Sequence, residues 1–206
     1  MDQPRPPSPP GPGGGRFDLG HELFERLLER RIVVVSGHLD AELATMATAQ
    51  LMAVDGSGEG PIELHLWCPE ADLDAGQALA DAVDLVRAPV VALCRGRLGG
   101  AALGPLAAAQ RRVAQPNAVL VLAEPSMEIS GRADDVALHV EAHRAQLESL
   151  QARLSAASGQ TMDRIRADMA AGVILDAPAA VVYGLVDEVA SKRPSAQADS
   201  TPLTNT

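Results

Sequence analysis

Short apolar runs alternate along this chain with longer stretches in which apolar residues recur every three or four positions. The runs predict β-strands over Arg31–Ser36, Pro61–Cys68, Pro89–Cys94, Ala118–Leu122 and Leu185–Val189. The periodic stretches predict helices over His21–Arg30, Asp40–Asp55, Asp74–Arg87, Ala101–Gln110, Asp134–Ala157, Thr161–Ala171 and Asp176–Tyr183. Strands separated by helices form parallel βαβ units, so the pattern predicts an α/β fold.

Helix starts and one long helix add detail to this pattern. Asp40 and Thr161 precede helical stretches and are predicted N-caps. The longest helix has an apolar stripe broken by charges, made of Val136, Val140, Leu147, Leu150 and Leu154. In a lone monomer a helix of this length leaves part of its stripe exposed, which is typical of an interaction surface.

The two ends of the chain have the composition of disordered segments. Residues 1–16 are rich in Pro and Gly, and residues 191–206 are polar without periodicity. We therefore expect one domain over residues 17–190 between two tails, the first of which has a Pro-rich docking segment as its alternative reading. The N-terminus lacks the apolar core of a signal peptide, and no apolar run approaches 18 residues. We expect a cytoplasmic protein without a membrane partner.

Charge and cysteine content exclude several classes of function. The formal net charge of −10 argues against binding nucleic acid, which requires clustered Lys and Arg. Cys68 and Cys94 lie far apart in apolar runs and are expected to be buried free thiols. No CxxC or HExxH spacing occurs, so neither a metal site nor a cofactor is expected.

The most informative segment joins a predicted strand to a helix of small residues through a glycine turn. It reads VALCRGRLGGAALGPLAAA over residues 91–109. A sharp strand-to-helix elbow of this kind can present a nucleophile beside backbone N–H groups that stabilise an oxyanion. The glycine turn itself, which follows Cys94 of the strand, contains no Ser, Cys or Thr. The sequence therefore predicts the layout of a nucleophile site without the attacking atom.

Several motifs, in order along the chain, resemble the ClpP-like family of Clp protease proteolytic subunits, within the crotonase-like spiral fold. They read ERLLERRIVVVSG (25–37), LDAELATMATAQLM (39–52), HLWCPEADLDAG (65–76), CRG (94–96), QPNAVLVL (115–122), HRAQLESLQARL (143–154), SGQTMDRIRAD (158–168) and APAAVVYGLVDEV (177–189). The resemblance implies a spiral of βαβ units with a protruding handle helix, formed by the longest helix.

The resemblance also implies where a Ser-His-Asp triad and an oxyanion hole would lie. Gly100 corresponds to the nucleophile, Ala123 to the base and Asp168 to the retained carboxylate. The oxyanion turn corresponds to Glu70 and Ala71, together with Ala101 after the nucleophile position. The Ser, the His and both turn glycines are thus replaced, and we expect no functional catalytic residue at these positions.

The remaining histidines and serines offer weaker candidates for chemistry. His38 lies between Ser36 and Asp40 at a strand-to-helix junction, where such residues are ordinary turn and cap residues. His139 and His143 have a metal-ligand spacing, but a solvated or interface face is expected because no third ligand is assignable. Neither Ser126 nor Ser130 has an assignable base.

Our preferred hypothesis is a catalytically inactive ClpP-like subunit, structural or regulatory, in a homo-oligomer or in a mixed ring with a catalytic paralogue. An AAA+ unfoldase is a further possible partner. Ala171 and Gly172 replace a charge pair that links rings in the family, and His65 replaces a tyrosine of the unfoldase docking pocket. One alternative is an active serine peptidase with a non-standard site. A third is a crotonase-type thioester enzyme using Glu70 or Asp72.

Overall fold

A computed structural model describes residues 23–126 and 133–191, and these form two sheets and several helices. The larger sheet is parallel throughout. Its strands, in spatial order, are β1 (Ile32–Ser36), β2 (Ile62–Trp67), β3 (Val90–Cys94), β5 (Arg111–Ala114) and β8 (Glu188–Val189). The smaller sheet has the order β4-β6-β7 and consists of β4 (Arg97–Gly99), β6 (Val119–Leu122) and β7 (Val173–Asp176).

The helices follow the predicted pattern closely. They are α1 (residues 23–29), α2 (Ala41–Gly56), α3 (Leu73–Leu85), α4 (Leu103–Ala108), α5 (Ala133–Ser158), α6 (Met162–Ala171) and α7 (Ala177–Tyr183). The predicted N-caps are confirmed, since Asp40 accepts a hydrogen bond from the Leu43 N–H and Thr161 accepts one from the Arg164 N–H. The mixed α/β architecture with a parallel sheet is confirmed.

Some elements differ from the prediction. The strands β4, β5 and β7 were not predicted, because β4 lies in the glycine elbow, β5 begins with two arginines, and β7 has only three apolar residues between two predicted helices. The expected helix Ala101–Gln110 is a 3₁₀ turn (Gly100–Ala102) followed by the shorter α4. The expectation that the strands are parallel is wrong for β6 and β7, which pair antiparallel.

The handle prediction is consistent with the exposure of α5. Its C-terminal half is part of the core through Leu150 and Leu154, which are 2% and 0% exposed. Farther towards its N-terminus, Leu138 and Val140 are 70% and 44% exposed. The apolar stripe therefore continues beyond the part that the core covers.

Some sequence predictions concern residues that the structure does not describe. The tail at residues 1–16, nearly all of the tail at 191–206, and Ser130 lie outside the described residues. Among the residues that the structure does describe, no helix is both long enough and apolar enough to cross a membrane.

Candidate functional site

The ends of two neighbouring strands bring two loops together. Because β1 and β2 are parallel neighbours, the loops that follow them leave the sheet at the same edge. Leu39 and Ala71 form an isolated parallel bridge there, with the Leu39 N–H donating to the Glu70 carbonyl at 3.1 Å and the Asp72 N–H donating to the Leu39 carbonyl at 2.9 Å. These bonds fix the loop after β1 against the predicted oxyanion turn.

A glycine elbow forms the adjoining wall. Gly100 has φ +56°, in the left-handed region that glycine adopts without strain. A Cβ on Gly76 of α3 would lie 2.5 Å from the Ala101 carbonyl oxygen, and one on Gly99 would lie 2.8 Å from the Pro69 carbonyl oxygen. The elbow is therefore seated directly on α3 and on the loop after β2.

A cavity of about 210 Å³ lies between the elbow and these loops. It brings together four of the positions that the family resemblance assigned to the triad and the oxyanion turn, namely Glu70, Ala71, Gly100 and Ala123. A Cβ on Gly100 would lie 3.6 Å from the Ala123 carbonyl oxygen, so the two positions are neighbours. Ala101 does not line the cavity, because it is completely buried behind the elbow.

Asp168 also does not line the cavity. Its Oδ2 accepts hydrogen bonds from the Tyr183 hydroxyl at 2.7 Å and from the Arg164 Nε at 2.5 Å. Burial alone would raise the pKa of Asp168, but these two hydrogen bonds outweigh it and hold the pKa below the ordinary aspartate value. Asp168 thus connects α6 to the end of α7.

The rim of the cavity is acidic. Glu70, Asp72 and Glu124 all line it, and the side chains of the first two are 82% and 57% exposed. His38 Nε2 is hydrogen-bonded to Asp72 Oδ1 at 2.9 Å, and His38 Nδ1 lies 3.8 Å from Glu70 Oε2. Carboxylates at this edge oppose the development of negative charge on a substrate oxygen.

Neither the pairing of His38 with Asp72 nor the place of Glu124 in the rim was predicted from the sequence. The sequence pattern indicates a turn residue at His38 and predicts only that Asp72 lies near the site. The parallel pairing of β1 and β2 could have indicated this contact, because residues that follow neighbouring parallel strands meet at one edge of the sheet. Ser126 also lines the cavity, and among the described residues it forms no hydrogen bond with His38.

The two cysteines are free and buried, as expected. Burial raises the pKa of Cys68 to about 11 and that of Cys94 to about 12. A thiol with so high a pKa is protonated near neutral pH and is a poor nucleophile.

A second cavity, next to the first, is lined by His139 and His143 together with Asp72, Asp74 and Ser126. The cavity therefore brings the two histidines near carboxylate side chains, and the sequence alone did not predict this. Even so, the described ranges contain no group of three or more ligand side chains placed to hold a metal ion.

Comparison with known protein families gives a match over most of the chain. The model of the Clp protease family matches residues 17–193. The match includes both sheets, the elbow and all the residues that line the first cavity.

Proposed function

This chain belongs to the Clp protease family, and we propose that it is a subunit that has lost peptide hydrolysis and serves a structural or regulatory role in a Clp-type ring. The observation that carries the proposal is the elbow itself. Gly100 occupies its turn with φ +56°, and Ala123 is its neighbour across the cavity. Neither residue offers a group that attacks a carbonyl or removes a proton.

The size of the expected loss supports this proposal. Removal of the nucleophile or the base of a serine protease triad costs about a millionfold in kcat, and leaves roughly a thousandfold acceleration over water. That residual acceleration depends on oxyanion stabilisation. The turn at Glu70 and Ala71 carries a carboxylate in place of glycine, so we expect the residual to be smaller still.

The environment of Asp168 supports the same proposal. Its Oδ2 already accepts two hydrogen bonds, and the chain offers no imidazole at position 123 for it to orient. Its role is to hold α6 against α7.

Assembly is the second part of the proposal. The Clp protease family usually forms oligomeric rings. The exposed Leu138 and Val140 on α5 favour a contact beyond the monomer. We expect a ring-sized oligomer, a heptamer, of this chain alone or mixed with a catalytic paralogue, in the cytoplasm. Two rings should stack more weakly than is usual in the family, because uncharged Ala171 and Gly172 replace the charge pair that links rings there.

A peptide-cleavage assay tests the loss of hydrolysis. The purified protein should not cleave short fluorogenic peptides above the buffer background, while a catalytic Clp subunit measured in parallel should. Turnover by this chain that disappears in Ser36→Ala or Ser126→Ala would overturn the proposal.

One observation favours a second candidate, a hydrolase with a non-standard site. The His38–Asp72 pair resembles the base and carboxylate of a triad, and Ser126 lines the same cavity. Such an enzyme should lose its activity in both His38→Ala and Ser126→Ala and keep it in Ser57→Ala, whose hydroxyl bonds to the Val54 carbonyl far from the cavity. A thioester enzyme is the third candidate, and turnover of acyl thioesters would distinguish it.

A further inference from the structure

The second strand of the larger sheet ends in an exposed indole. Trp67 is the only tryptophan of the chain, and it is 57% exposed. Its ring lies on Gly96, because a Cβ on that glycine would come within 2.8 Å of the indole nitrogen and 3.1 Å of the neighbouring ring carbon. The backbone at Gly96 therefore supports the indole, while more than half of the side chain stays accessible.

The groups beside this indole are hydrogen-bond donors without acceptors. The indole N–H forms no hydrogen bond with a described residue. Arg95 follows β3 next to Trp67, because Leu66 and Cys94 are partners in the sheet. Its guanidinium also forms no hydrogen bond within the part of the chain that the structure describes, and its Nε is buried. A ligand that suits this place offers hydrogen-bond acceptors rather than donors.

An apolar strip leads from the indole to a carboxylate. Glu63, His65 and Trp67 point to the same side of β2, because side chains alternate along a strand. His65 is flanked on that side by half-buried Val34 of β1 and Leu93 of β3. The side chain of Glu63 is 55% exposed. It lies four residues from Trp67, which corresponds to about 13 Å along a strand.

The N-terminal segment of the chain has the chemistry that this surface lacks. Residues 4–10 read PRPPSPP. Proline has no N–H, so such a segment presents carbonyl acceptors and few donors. Pro-rich segments dock on aromatic side chains in the polyproline II conformation. In that conformation Arg5 and Pro9 are about 12 Å apart, which matches the separation of Glu63 from Trp67.

The connection to the rest of the chain allows this contact. Residues 11–22 can span up to about 40 Å when extended. The chain then enters α1 and β1, and β1 is the neighbour of β2 in the sheet. Since a five-residue strand such as β1 is only about 17 Å long, the indole is within reach. A short tether also raises the local concentration of the segment to the millimolar range, so a weak contact is sufficient.

We propose that residues 4–10 dock on the outer side of β2 in the same chain, with Pro9 and Pro10 against Trp67 and Arg5 paired with Glu63. The inference goes beyond the proposed function and does not depend on it. It makes the Pro-rich segment an internal ligand that covers the indole and accepts hydrogen bonds from Trp67 and Arg95. A partner that binds this part of the sheet has to displace the segment first.

Tryptophan fluorescence tests the inference, because the emission of this chain comes from Trp67 alone. We compare the wild type with a full-length variant in which Pro6, Pro7, Pro9 and Pro10 are changed to Ala. In the variant the emission should move to longer wavelengths, and quenching by acrylamide should increase. The matched control changes the two prolines of the other tail, Pro194→Ala and Pro202→Ala, and should leave both quantities at their wild-type values.

A synthetic peptide of residues 1–16 tests the same contact from outside. Added to the proline variant, it should restore the wild-type emission and the protection from acrylamide in a saturable manner. The same peptide with Arg5→Gln should bind about threefold more weakly, the usual scale of an exposed ion pair. That difference should disappear when the protein carries Glu63→Gln, because the partner of Arg5 is then uncharged.

The possible outcomes separate this inference from the proposed function. Equal emission and equal quenching in the wild type and the proline variant would overturn the inference. If Trp67 were protected in both proteins and light scattering found ring-sized particles in both, a neighbouring subunit would cover the indole, which also overturns it. Protection that is lost on dilution would assign the segment to another copy and contradict docking within one chain. None of these results bears on the loss of peptide hydrolysis.

Discussion

The two sides of the cavity differ sharply in how tightly the structure constrains them. On the elbow side, Leu98 and Ala101 are completely buried, and Gly76 and Gly99 allow contacts that leave no space for a side chain. On the rim side, Glu70, Glu124 and Ser126 are exposed. The tightly packed elbow side of a family site can therefore be retained while the exposed side chains of the rim change, because a substitution in the rim disturbs few packed atoms.

The largest effect should come from filling the contact beneath the elbow. In Gly76→Ala the new Cβ would meet the Ala101 backbone, and we expect the free energy of unfolding to fall by about 2 kcal/mol, the usual scale of overpacking. Urea unfolding measures the change. Gly56→Ala is the matched control, because it also lies in a helix and its Cβ would meet nothing within 4 Å. If Gly76→Ala lowered the free energy of unfolding no more than the control does, the elbow side of the cavity would not be tightly packed.

The Asp168 network should have the next largest effect. Tyr183→Phe removes a hydrogen bond to a buried carboxylate and should lower the free energy of unfolding by about 1.5 kcal/mol. Urea unfolding at neutral pH measures this change. An unchanged stability would show that the contact between α6 and α7 depends on packing alone.

The same network predicts a pH dependence. Because the folded pKa of Asp168 is lowered, its contribution is complete above the unfolded value of about 3.9 and is lost as the pH falls through the folded pKa. The wild type should therefore lose more stability on acidification than Asp168→Asn. Equal losses in the two proteins would contradict this role for Asp168.

Restoring the triad should have a small effect on activity. Gly100→Ser should remain inactive without a base, and it should be destabilised by about 1 kcal/mol because φ at this position is positive. Adding Ala123→His should produce at most weak cleavage of fluorogenic peptides until residues 70 and 71 are also glycine. Strong activity of Gly100→Ser alone would show that a residue other than position 123 acts as the base.

Changes at the rim should have the smallest effect. Glu124→Gln alters an exposed side chain, so the free energy of unfolding should change by less than about 0.5 kcal/mol. Thermal unfolding checks this result. A large change in the free energy of unfolding would contradict the proposed difference between the tightly packed elbow side and the rim.

Sequence periodicity predicted the helices and five of the strands, because the apolar runs or repeats that contain those elements are readable along the chain. The strands around Arg97, Arg111 and Val173 were not recognised, because the first lies in the glycine elbow, the second begins with two arginines and the third has only three apolar residues between two predicted helices. For the site, the family motifs placed Gly100 and Ala123 at neighbouring positions. They could not show that Asp168 bonds to Tyr183 or that His38 reaches Asp72, because both contacts depend on side chains brought together by tertiary structure.

Labelling with a serine-directed fluorophosphonate tests the central claim most directly. After incubation with the probe, the intact mass of the purified protein should be unchanged, while a catalytic Clp subunit treated in parallel should gain the mass of the adduct. Stoichiometric labelling of this chain that is abolished by Ser126→Ala or by His38→Ala would contradict the claim that the site has lost its nucleophile.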